Sequence, residues 1–141
     1  MSWRFLEHTA DVGCELAAPD RDALYAEALA AFTDTITPRD GVEPRLSRHL
    51  ELTARDAESL LVDWLGELLY VFETENLLCH HAEVRVTDAA DGLALAAEVH
   101  GEPYDPERHP VKVLVKGVTW HQLHAAPRAD GSWTARVIFD I

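Results

Sequence analysis

Leu60-Leu61-Val62-Asp63-Trp64-Leu65-Gly66-Glu67-Leu68-Leu69-Tyr70-Val71-Phe72 is the longest apolar region of the chain. Leu60, Leu61, Trp64, Leu65, Leu68 and Phe72 recur at helical spacing, which lines them along one broad stripe. Asp63, Gly66 and Glu67 break the run, so it is a helix with one buried side and not a membrane span. Asp56 lies just upstream, where its carboxylate can cap the first turn. A stripe this wide has to be covered by a second layer, and the flanking segments supply one.

Before it, Pro19-Asp20 starts another helix, in which Tyr25, Ala28, Leu29 and Phe32 share a face while Arg21, Asp22 and Glu27 turn to water. Strands are expected at 2–8, 12–17 and 48–54, with a loop containing proline and glycine over 37–44. The second half reads mostly as β. Segments 82–87 and 93–99 flank a hairpin ending in Asp91-Gly92, and 118–125 and 132–140 flank another at Arg128-Ala129-Asp130-Gly131. Residues 101–110 read as a polar loop with three prolines, and 111–115 as strand-like, with a short helical turn as the alternative. Trp64, Trp120 and Trp133 sit on periodic apolar faces and are expected in the core. The expected architecture is one α+β domain over 1–141: two helices packed on one face of a mixed, largely antiparallel sheet, a two-layer sandwich.

The chain has 141 residues, 25 acidic against 12 basic side chains, and a formal charge of −13. Gripping phosphates takes a surplus of Lys and Arg, and the lysines here are only Lys112 and Lys116, so direct nucleic-acid binding is not expected. An anionic membrane surface is disfavoured for the same reason, whereas a basic protein partner or a cation suits the charge. Cys14 and Cys79 form no CxxC pattern, which points to buried thiols in a reducing compartment. The opening residues lack the apolar run of a signal peptide, and a cytoplasmic protein is expected.

Chemistry can sit at few places. His8-Thr9-Ala10-Asp11 brings an imidazole, a hydroxyl and a carboxylate together between two apolar strands, with Asp11 as a metal ligand or base. Taken alone, the string favours the plainer reading, in which Asp11 satisfies turn amides. At the other end a well-patterned strand runs to Asp140-Ile141, setting a side-chain carboxylate beside the α-carboxylate of Ile141. With Asp11 from a neighbouring strand, three carboxylates would form a partial shell for Ca²⁺, Mg²⁺ or Mn²⁺. The alternative is an exposed aspartate at the end of an edge strand. The segment from His109 to His121 carries both lysines and forms a cationic spot in an acidic chain, or simply balances nearby acids. His80-His81 reads as a solvated loop, because adjacent side chains on a strand point to opposite faces. GxSxG, P-loop, GxGxxG and HExxH motifs do not occur.

Four strings, Phe5-Leu6-Glu7-His8-Thr9-Ala10-Asp11, the helix from Leu60 to Tyr70, Val115-Lys116-Gly117-Val118-Thr119-Trp120-His121 and Val137-Ile138-Phe139-Asp140-Ile141, together resemble the archease family. They stand in the family's order and span essentially the whole chain. The chain departs from the pattern at Ala17-Ala18-Pro19-Asp20, where a glycine is usual, and at Trp120, where tyrosine is common. The resemblance implies an accessory protein, not itself an enzyme, for the RtcB-type tRNA-splicing ligase. In that role it promotes guanylylation of the ligase and multiple turnover, and broadens the ligase's nucleotide use. The resemblance also implies a metal site at Asp11, Asp140 and Ile141, calcium foremost, with His8, Thr9, Lys116 and His121 as supporting or partner-contact residues. Two other readings stand beside it: a metal-dependent phosphoester hydrolase, and a general chaperone-like module.

Overall fold

The computed structural model describes residues 11–141. The strand expected at 2–8, together with His8 and Thr9, lies outside the described residues. In chain order the elements are β1 (Asp11–Ala18), α1 (Arg21–Ile36), β2 (Leu46–Ala54), α2 (Ala57–Glu75), β3 (Leu77–Ala89), β4 (Gly92–Pro103), β5 (Gly117–Pro127) and β6 (Trp133–Asp140), with a 3-10 turn at Arg39–Gly41.

Both helices begin where a carboxylate waits for them. Asp20 accepts the Ala23 N–H and Asp56 accepts the Ser59 N–H, each at 2.8 Å, satisfying amides that have no partner in the first turn. Asn76 ends α2 in the left-handed conformation that asparagine tolerates, and its N–H returns to the Phe72 carbonyl. The expected stripes face inward: Tyr25, Ala28, Leu29 and Phe32 on α1, and Leu60, Leu61, Trp64, Leu65 and Leu68 on α2, are buried in one core with residues of every strand.

The class is α+β with two helices, and all strand pairs among the described residues are antiparallel. The single mixed sheet divides into two three-stranded sheets, ordered β1-β6-β5 and β2-β4-β3. A physical reason lies along the free edge of β3, which α1 occupies. Arg21 donates to the Val86 carbonyl (3.1 Å), the Val86 N–H donates to Asp22 (2.8 Å), and the Thr33 hydroxyl donates to the Cys79 carbonyl (2.7 Å). These bonds cover ladder groups that another strand would otherwise take.

Three local expectations are corrected. Residues 111–115 form neither strand nor helix: Leu114 is exposed, and the chain is held by the Lys112 N–H on the Ile36 carbonyl and the Lys116 N–H on the Asp140 carbonyl, both 2.7 Å. Trp120 is 55% exposed, because the β5–β6 register breaks between Thr119 and His124 and Gln122 adopts φ 53°. His80 and His81 lie within β3, where a register shift between Cys79 and His81 leaves His80 as the extra residue of a bulge.

Gly101 makes that bulge possible, since a Cβ there would stand 1.8 Å from the Leu78 carbonyl oxygen and 2.8 Å from Cys79 Cα. Both neighbours are backbone, so the strand itself would have to move. Gly101→Ala is expected to destabilise the protein by about 1–3 kcal/mol in urea unfolding. Wild-type stability would show that β3 relaxes freely at this point.

Candidate functional site

β1 and β6 pair so that Asp11 stands directly opposite Asp140. On the other side of β6, Gly117 of β5 is the partner of Asp140, and the neighbouring Lys116 N–H donates to the Asp140 carbonyl. Three chain segments therefore meet at one corner of the first sheet. The pleat decides which face they use. Val12, Cys14 and Leu16 pair with Phe139, Val137 and Ala135 toward the core, so Asp11 and Asp140 share the outer face, and both are exposed. Ile141 follows directly and is half-buried against the core.

Directly opposed residues on one face of an antiparallel pair bring their Cβ atoms within about 4.5–5.5 Å, and like charges so placed repel. Two carboxylates at that spacing are oxygen donors of the kind that hard divalent cations prefer. The donor set thus fits such an ion. Thr119, one row along the same outer face, has a buried hydroxyl without a hydrogen-bond partner among the described residues. Lys116 and His121 are exposed on the segments flanking this corner.

What fixes the approach of Lys116 was missed in the sequence. Glu102, on β4, is fully buried and accepts hydrogen bonds from the Glu43 N–H (2.7 Å), both terminal nitrogens of Arg108 (2.5 and 3.0 Å) and His109 Nε2 (3.0 Å). His109 is buried as well, and its Nδ1 accepts the Asp105 N–H at 2.9 Å, so the ring carries its proton on Nε2 and donates to Glu102. The Arg108 fork, with the amide and imidazole bonds, holds the Glu102 carboxyl down at about 2. Tyr104 stacks on His109 and its N–H is tied to the Asn76 carbonyl. The loop from β4 to β5 is thus built around one buried ionic network and delivered to Ile36 and Asp140 at its far end. The prolines at 103, 106 and 110 hinted at a fixed loop. Nothing in the local pattern marked Glu102 as buried.

The other titratable clusters are more scattered. Arg136 pairs with Glu15 (2.6 Å) on the outer face of the first sheet, and Arg48 grips Glu75 with two bonds. Both cysteines are free, and burial pushes the Cys79 thiol up to about 12, leaving it unreactive. Among the described residues no helix is long and apolar enough to cross a membrane.

The sequence profile described as the Archease protein family matches residues 3–141. Protein archease of Methanopyrus kandleri is 37% identical over 141 residues, covering all of both chains. Protein archease of Pyrococcus abyssi is 34% identical, covering 99% of this chain and 98% of its own. Among solved structures, the solution structure of protein 1598 of Methanobacterium thermoautotrophicum superposes with a TM-score of 0.79 at 32% identity, covering 96% of each chain.

Proposed function

Since this chain belongs to the Archease protein family, we propose that it is the accessory protein of an RtcB-type tRNA-splicing RNA ligase, promoting the ligase's guanylylation and multiple turnover and broadening its nucleotide use. The structural observation that carries the reading is the register of Asp11 against Asp140 at the corner where β5 begins. Asp11, Asp140 and the Ile141 carboxylate would hold a divalent cation, calcium foremost, with magnesium or manganese as alternatives. Bound there, the ion would supply the positive charge that lets these carboxylates stay close together. The chain's own residues do the rest. Lys116 and His121, exposed on the segments flanking the corner that Asp11 and Asp140 form, would contact the partner, and His8 and Thr9, which lie outside the described residues, would support the same contact.

The formal charge of −13 suits a partner whose surface is basic because it binds RNA. RNA stays on the ligase, and this chain meets protein. Association driven this way is screened by salt, since the Debye length falls from about 10 Å at 0.1 M to about 3 Å at 1 M. The association rate constant with the cognate ligase, followed by stopped flow, is expected to fall on the order of tenfold over that range. A salt-independent rate contradicts the steering.

The site is tested by Asp11→Asn. Both aspartates are exposed, so in chelator the substitution relieves a like-charge pair and is expected to raise stability by about 0.2–1 kcal/mol. With calcium present the sign reverses, because the wild type alone keeps the full donor set. Stimulation of ligase guanylylation is expected to disappear in the variant. Full stimulation by Asp11→Asn removes the role given to this site.

A further inference from the structure

We propose that His81, Glu83 and His100 form a second cation site, for a divalent transition metal with zinc foremost, on the outer face of the β2-β4-β3 sheet. His81 and His100 are direct cross-strand partners, and their rings stack with centroids 4.7 Å apart and an interplanar angle of 21°. Glu83, two residues along β3 from His81, projects from the same face, and its carboxylate bridges the Nε2 atoms of the two rings. One oxygen is 2.7 Å from His100 Nε2 and the other 3.4 Å from His81 Nε2. One ligand atom from each residue lies within 4.8 Å of the others.

The two distances to Glu83 lie on either side of what an ion imposes. Bonds of about 2.0–2.2 Å in a tetrahedral shell place ligand atoms roughly 3.3–3.5 Å apart. Glu83 is exposed and needs to swing about half an ångström from His100 to reach that spacing, and the two stacked rings would turn so that their in-plane lone pairs converge on the ion. Two imidazoles and one carboxylate leave a fourth position for water, the composition of open zinc sites. Imidazole nitrogen selects zinc, copper or nickel over calcium, which sets this cluster apart from the all-oxygen corner at Asp11 and Asp140.

The bulge supplies the supporting shell. Because His80 is its extra residue, His80 Nδ1 comes within 2.9 Å of His81 Nδ1 instead of pointing to the opposite face. The hydrogen bond between the two Nδ1 atoms fixes the orientation of the His81 ring. With Nδ1 engaged there, His81 Nε2 is the nitrogen on the Glu83 side, the arrangement in which metal-bound histidines are held. Next along the face, Glu98 faces Glu83 across the strands and pairs with His49 at 2.7 Å, adding negative charge beside the site. The ion would clip β3 to β4 across their outer face.

The test is titration of the full chain, without added histidines, with zinc chloride against a chromophoric chelator, calcium being present throughout. The wild type is expected to bind one equivalent, and its melting temperature to rise with zinc. His81→Asn combined with His100→Gln is expected to weaken binding more than about 100-fold, with the metal-free melt unchanged. Asp11→Asn should bind zinc as the wild type does. Cobalt in place of zinc should give visible absorption typical of nitrogen ligation, absent from the double variant. Undiminished zinc binding by the double variant, loss of zinc on Asp11→Asn, or no wild-type binding would each overturn the proposal.

Discussion

Trp64→Ala is expected to lower the free energy of unfolding by about 3–5 kcal/mol, the largest stability effect of any single substitution considered. Trp64 has no exposed surface and sits at the centre of the α2 stripe. Its indole N–H donates to the Tyr25 carbonyl of α1 at 2.8 Å, and the Tyr25 hydroxyl donates back to the Ala57 carbonyl of α2 at 2.7 Å. Truncation therefore opens a cavity and also breaks one side of a reciprocal latch between the helices. Trp64→Phe keeps most of the volume and loses the hydrogen bond, so it is expected to cost less than half as much. Urea unfolding of the two variants at constant m-value checks both figures. A loss below about 1 kcal/mol for Trp64→Ala would mean that the core collapses around the gap.

Glu102→Gln is expected to cost about 3 kcal/mol at neutral pH, because it leaves Arg108 and the Glu43 and His109 donors around a neutral amide in a buried position. The pH dependence carries a definite sign. Glu102 is held at about 2 in the folded protein, against an ordinary glutamate near 4.3 when unfolded. Its contribution is therefore fully present above about pH 4.5 and is lost as pH falls toward 2. The difference in stability between wild type and Glu102→Gln should shrink steadily from pH 5 to about pH 2.5. Other carboxylates with lowered values, Asp56, Glu75 and Asp130, are common to both proteins and cancel in that difference. A gap that stays constant over this range would assign the cost to packing alone.

The helices were legible because burial imposes a period, and the period is written in residue type. Tyr25 to Phe32 and Leu60 to Leu68 are buried where the spacing placed them, and Asp20 and Asp56 cap where an acidic residue precedes an apolar run. Hairpins were legible for a similar local reason, the Gly92 and Gly131 turns having positive φ. What was not legible depends on partners distant in the chain. The division into two sheets follows from α1 lying along the β3 edge, through bonds from Arg21, Asp22 and Thr33 to backbone more than forty residues away. Trp120 was placed in the core by alternation, and the break in register after Thr119 turned it out.

The candidate site divides in the same way. Asp11 could be singled out in a polar string between two apolar segments and Asp140 at the end of a patterned strand, and their direct pairing needed the register of β1 on β6. Glu102 could not be found from pattern, since a charged residue beside prolines usually marks a solvated loop, and only Arg108 and His109 folding back make its burial affordable. His80-His81 was set aside on strand geometry that holds for a regular strand. A bulge, tied to Gly101 on the facing strand, is what brings the two rings together.

In the function proposed here this acidic chain would activate an RNA ligase without touching RNA. Single-turnover guanylylation of the cognate ligase, measured with GTP and manganese in the absence of RNA, tests it most directly. Addition of this protein is expected to accelerate formation of the ligase–guanylate adduct, and addition of Asp140→Asn to leave the rate at that of ligase alone. A rate unchanged by the wild-type protein would contradict the account.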